Sequence, residues 1–154
     1  MDEATALGLY QTMTRIRQFE KRAHDLFLQN LVKGTTHLGT GQEAVAAGVA
    51  QAMRPDDYTF VTYRGHNHVL ARGTPMTPVM AELLGRENGL MRGKGGSMHL
   101  LDVSRGVLGS YAIVGAQLVI ATARRGRRST AARSRSPSAS SATARRTSAR
   151  STRR

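Results

Sequence analysis

Tyr58–His68, YTFVTYRGHNH, is the stretch whose reading decides the fold. Every residue from Tyr58 to Tyr63 is β-branched or aromatic, the composition of a strand. Arg64, Gly65 and His66 follow at its carboxyl end, and a short helix is expected over His66 to Ala71. In open α/β sheets, ligands sit just beyond the carboxyl ends of the strands. Arginine offers a planar fork of donors to phosphate oxygens, and tyrosine adds a hydroxyl. The plainer alternative for Arg64 is an ion pair with Asp56 or Asp57. The glycine and histidine beside it favour an anion site.

Two other segments share this character. THLGTGQEA (Thr36–Ala44) sets His37 in a loop with Gly39 and Gly41 close behind, where the backbone can approach a ligand. RGKGGSMH (Arg92–His99) lies in a glycine-dense basic loop, 89–98, whose spacing matches neither a P-loop nor a dinucleotide fingerprint. It reads as an anion-facing or partner-facing loop, or as plain flexible surface. Together the three segments suggest a basic, glycine-lined surface for a phosphorylated ligand. Around them lie expected helices. A long amphipathic one runs from Thr5 to about Asn30 and is stopped by Lys33-Gly34. A small-residue helix spans Gln42 to Met53, anchored by Val45, Val49 and Met53. A third begins with Thr77 as cap and Pro78 as first residue. Ser104 to Gly109 reads as a loop. IVGAQLVIAT (113–122) reads equally as buried helix or buried strand.

The 154 residues suit one domain, and the formal charge of +13 invites a nucleic-acid partner. Its distribution weakens that reading. Residues 1–123 carry 12 basic and all 10 acidic residues; residues 124–154 carry 11 Arg and no acid. Segment 123–154 is rich in Arg, Ser, Ala and Thr, and from 124 onward it lacks large apolar residues. It is expected to be a disordered basic tail that binds nucleic acid only non-specifically. Such a composition also fits an out-of-frame translation of a GC-rich gene, which the nucleotide sequence around codons 118–126 would test. The absence of cysteine excludes disulfides and thiol chemistry. MDEATALGLY (1–10) has neither the basic, apolar pattern of a secretory signal nor the character of a transit peptide, and no apolar run is long enough for a membrane span. A cytoplasmic location, with no membrane partner, is the expectation.

Taken in order, THLGTGQEAVAAG, FVTYRGH, GRENGLMRGKGGSMH and IVGAQ resemble the α subunit of the E1 component of 2-oxo acid dehydrogenase complexes, over roughly Leu9 to Thr122. The pyruvate dehydrogenase and acetoin dehydrogenase types are both similar. The resemblance implies an α/β fold: residues 1–122 as the incomplete N-terminal part of a thiamine-diphosphate-binding doubly wound fold, mostly helical as it stands. It implies thiamine diphosphate and Mg²⁺ as cofactors and an E1 β subunit partner in an α2β2 assembly. It also implies a lipoyl-bearing E2 partner and a small 2-oxo acid as substrate. The implied reaction is decarboxylation followed by acyl transfer to a lipoyl group. By motif position, His37 would be catalytic at the substrate end of the cofactor. Tyr63 and Arg64 would hold the diphosphate. Ala112 and Val114 would contact the cofactor through their backbones. His66 and His99 are further candidates.

The sequence departs from the family pattern in two places. Tyr111-Ala112 stands where an Asn-Gly pair is usual, and the family's downstream GDG metal motif is missing. No metal ligand is therefore assigned, and the chain is expected to be inactive alone. Acetoin dehydrogenase α, a non-catalytic α/β scaffold, and a protein binding nucleic acid through its tail are the alternatives.

Overall fold

The computed structural model describes residues 1–32, 34–129 and 137–139. Helix α1 is Glu3–Leu28, α2 Glu43–Ala52, α3 His66–Ala71, α4 Met76–Leu83 and α5 Ala116–Ser129; the strands are β1 Tyr58–Thr62, β2 Val107–Tyr111 and β3 Pro137–Ala139. The sheet order is β2-β1-β3, and both neighbours run parallel to β1. The chain is thus mostly helical around a small parallel sheet. Among the described residues no helix is long and apolar enough to cross a membrane.

Helix α1 begins where the Asp2 carboxylate accepts the Thr5 N–H at 2.7 Å. It buries Ile16, Phe19, Ala23 and Leu26, one stripe at helical spacing. It ends before the expected stop at Lys33-Gly34. Asn30 takes the left-handed conformation (φ 59°), Asn30 N–H reaches Phe27 C=O, and Leu31 N–H reaches Leu26 C=O. Those paired bonds satisfy the last carbonyls, with asparagine in place of the usual glycine. Lys33 itself lies outside the described residues.

Four further expectations need correction. Helix α2 packs through its small residues Ala46 and Ala47, with Val49 and Met53 half-buried, but Val45, expected as an anchor, is exposed. Helix α4 starts two residues earlier than expected, with Pro75 as its extended cap and no side-chain bond there; Pro78 sits inside the first turn, where a missing N–H costs nothing. Residues 107–109, expected in a loop, belong to β2. Gly109 and Ser110 are poor strand formers, and pairing with β1 overrides that preference. Finally, α5 continues through the compositional break at 122/123 to Ser129, and 137–139 pair with β1, so these parts of the tail have regular structure. Alanine and arginine are good helix formers and let α5 propagate. The rest of the tail lies outside the described residues.

One core joins these elements. Ile16, Phe19, Ala23 and Leu26 of α1 meet Ala46 of α2, Val69 and Leu70 of α3, Val79 and Leu83 of α4, and Leu100 and Val107. Arg17 ties α1 to α2 by a two-pronged ion pair with Glu43, at 2.5 and 3.0 Å.

Candidate functional site

Strands β1 and β2 end together. Thr62 is opposite Tyr111, so Tyr63-Arg64 and Ala112 leave the sheet side by side at its carboxyl edge. The loop carrying His37 folds over that edge. The His37 and Tyr63 rings meet edge to face, with centroids 4.6 Å apart and planes at 65°. The Arg64 guanidinium carbon lies 5.6 Å from the Tyr63 ring centre, and Arg64 Nη1 donates to the Leu38 carbonyl. Residues distant in sequence thus form one corner.

That corner has unfilled polar capacity. His37 Nδ1 and Thr36 Oγ1 are buried with no hydrogen-bond partner among the described residues. Buried polar atoms of this kind call for an explanation such as a ligand. No carboxylate among the described residues pairs with Arg64: Asp57 bonds Arg54 at 3.2 Å instead. The ion-pair alternative for Arg64 is therefore not what the structure adopts.

Ala112 is half-buried beside the edge, and Val114 is 76% exposed. Ala112 is not in the left-handed region, so its Cβ brings no backbone strain. Tyr111 turns back under the edge, its hydroxyl donating to Leu108 C=O at 3.2 Å, and burial raises its phenol pKa. His99 is exposed. His66 is fully buried, and both its ring nitrogens are engaged, Nδ1 by Glu20 at 3.2 Å and Nε2 by Ser97 at 2.9 Å. It serves the interior of the protein and not the cleft.

The glycine-dense loop has found an anion of its own. The carboxylate of Glu82, fully buried at the end of α4, accepts N–H bonds from Met91 (2.7 Å), Gly93 (2.9 Å), Gly95 (2.7 Å) and Gly96 (3.2 Å). Burial alone would raise the Glu82 carboxyl, but these four donors outweigh it and hold it below the usual range. Gly93 is at φ 72° with its Cα packed on the backbone at Gly85, a place with no room for a Cβ. Arg92 and Lys94 are left exposed. Sequence reading missed Glu82 because a glutamate in an amphipathic helix looks like solvated surface. A buried phase in that helix was the only signal.

A model of the dehydrogenase E1 component family matches residues 11–143. The chain belongs to that family. Among curated members of the dehydrogenase E1 component family, it is 44% identical over 121 residues to the α subunit of acetoin:2,6-dichlorophenolindophenol oxidoreductase from Bacillus subtilis, covering 79% of this chain and 36% of that one. It is 43% identical over 116 residues to the α subunit of the pyruvate dehydrogenase E1 component from Rhizobium meliloti, covering 75% of this chain and 33% of the relative. The Zymomonas mobilis pyruvate dehydrogenase E1 component α subunit is 44% identical over 118 residues, or 76% and 33%. The chain spans about a third of the length of the curated relatives it matches.

Proposed function

We propose that this chain supplies the diphosphate-facing wall of a thiamine diphosphate site in a 2-oxo acid dehydrogenase of the pyruvate dehydrogenase type. The observation that carries the reading is the corner itself: His37 with a buried Nδ1 that finds no partner among the described residues, packed on Tyr63, beside an arginine that no carboxylate of those residues claims. The Leu38 carbonyl takes one donor of Arg64. The remaining guanidinium N–H groups and the Tyr63 hydroxyl are suited to phosphate oxygens. The backbones of Ala112 and Val114, at the same sheet edge, are the proposed further cofactor contacts. When bound, thiamine diphosphate supplies the carbon nucleophile and the electron sink for loss of CO₂. His37 would hold or transfer a proton at the reacting end through an imidazole nitrogen, as general acid or base.

The residues fit the diphosphate but not the metal. Mg²⁺ takes octahedral oxygen ligands. Among the described residues no group of three or more His, Asp or Glu side chains could hold one. The magnesium ligands, the lipoyl-bearing acyl acceptor and a β subunit in an α2β2 assembly belong to the proposal as contributions from elsewhere. Ile113 and Val114, each 76% exposed, and Val119, 72% exposed, give the corner an apolar flank suited to a partner subunit. Acetoin as substrate is the second reading, supported by the relative of that name.

The test is a titration of the full chain with thiamine diphosphate at millimolar concentration, followed by amide NMR shifts. Shifts are expected at His37, Tyr63 and Arg64, and Arg64→Ala should weaken the response about tenfold, the worth of one charged hydrogen bond. No shift at those residues, or an unaltered response in Arg64→Ala, would refute the reading. Added pyruvate is expected to go unturned by the chain alone, and turnover would likewise count against it.

A further inference from the structure

Resting on the reading of His37 just given, we infer that Ser97, His66 and Glu20 are positioning residues: a buried ring of hydrogen bonds that fixes the tripeptide His37-Leu38-Gly39. The ring runs as follows. His37 N–H donates to Ser97 Oγ at 3.1 Å. Ser97 Oγ meets His66 Nε2 at 2.9 Å, and His66 Nδ1 meets Glu20 Oε2 at 3.2 Å. Glu20 Oε1 accepts Gly39 N–H at 3.1 Å, which closes the circuit on the same tripeptide.

Two more bonds hold the outward faces of the loop. Arg64 donates to Leu38 C=O, and Asn67 Nδ2 donates to Gly39 C=O at 2.7 Å. Four backbone groups in three residues are therefore tied to four side chains from α1, the end of β1, α3 and the Ser97 turn, two of which His66 links to each other. Loops ordinarily leave such groups to water. Here the backbone around a would-be catalytic histidine is hydrogen-bonded to side chains of the protein, while its ring nitrogen Nδ1 has no partner among the described residues. A site performs best when its reacting groups are fixed by others that do not react.

The chemistry of the ring also sets its hydrogens. The Glu20 carboxylate only accepts, so His66 Nδ1 carries the ring hydrogen, Nε2 is left to accept, and Ser97 Oγ, which accepts His37 N–H, turns its own hydrogen to Nε2. Glu20 accepts from both His66 and Gly39. Every member is satisfied in that one arrangement. Ser97 is 2% exposed and Glu20 and His66 are fully buried, so water does not compete.

The experiment uses the full chain, isotopically labelled, with amide hydrogen exchange, the nuclear Overhauser contact between the His37 and Tyr63 rings, and the thiamine diphosphate titration. In Ser97→Ala, the His37 amide is expected to exchange about tenfold faster, as for one lost hydrogen bond. The ring contact should weaken, while the Met91 and Gly93 amides, held by Glu82, keep their protection. Ser97→Thr, which restores the hydroxyl, should return His37 exchange to within about threefold of the parent. Glu20→Gln keeps an oxygen for Gly39 but presents an NH₂ group to His66. The ring then survives only by moving the His66 proton to Nε2, a tautomer switch visible in the imidazole ¹⁵N shifts. An unchanged His37 amide in Ser97→Ala, exchange that rises equally in both loops, or unmoved His66 shifts in Glu20→Gln would each overturn the inference. If the exchange and tautomer results hold while thiamine diphosphate shifts nothing in the parent chain, the ring stands and the cofactor reading falls. If the cofactor binds the parent and Ser97→Ala alike with His37 unaltered, the reverse is true.

Discussion

The loops at 36–41 and 89–96 are alike in sequence and opposite in use. Each is rich in glycine and carries or adjoins a basic side chain, and each reads as a place where backbone meets an anion. In the second loop that anion is internal: Glu82 takes four N–H groups and the loop closes on it. In the first, the backbone groups are tied to Ser97, Glu20, Glu43, Arg64 and Asn67, and the polar capacity left over is on side chains, His37 Nδ1 and Arg64. A glycine-rich basic stretch thus announces that N–H groups converge. It does not say whether the acceptor is a ligand or the protein's own carboxylate.

The widest separation between the loops comes from Glu82→Ala. Four donors would lose a buried charged acceptor, and stability should fall by about 3 kcal/mol in urea unfolding. Protection should collapse at Met91 and Gly93 while the His37–Tyr63 ring contact persists. Equal collapse in both loops would erase the distinction. Gly39→Ala attacks the first loop instead. A Cβ there would stand 2.5 Å from Asn67 Nδ2, so the amide that holds Gly39 C=O must move. A cost of about 2 kcal/mol and a lost thiamine diphosphate response are expected.

Acid sharpens the comparison without a substitution. The Glu82 carboxyl is held below its unfolded value, so its contribution is present above pH about 4.5 and is lost as pH falls through the lower folded value. His68, away from both loops, supplies a separate step. Burial lowers it to about 4 from 6.5, so the unfolded chain takes up the proton first and stability declines from pH 6.5 down to about 4. Urea midpoints across that range should show the His68 step in the parent chain and lose it in His68→Gln. Only the lower step should vanish in Glu82→Ala.

Much of this was legible in residue pattern. The β-branched and aromatic run at 58–63 became β1, the apolar stripe of 5–30 became α1, and His37, Tyr63 and Arg64 came together at one edge. What escaped was set by partners far away in the chain. Strand β2 exists because β1 offers it a ladder, although VLGSY is a weak strand on its own. Glu82 and Glu20, charged residues of amphipathic helices, are buried acceptors, and a single sequence carries no sign of which carboxylate the loops will fold around. The alternation between helix and strand at 113–122 was open in the sequence, and the structure resolves it from Ala116 onward as α5.

Ser97, His66 and Glu20 have the atom-to-atom order of a hydrolase charge relay, hydroxyl to imidazole to carboxylate. Here that order is sealed inside the protein, with the hydroxyl turned toward a backbone amide. No ester or organophosphate can approach Ser97 Oγ without first prising the His37 loop away, so the same constellation that cleaves bonds at an open surface serves in this chain as a strut.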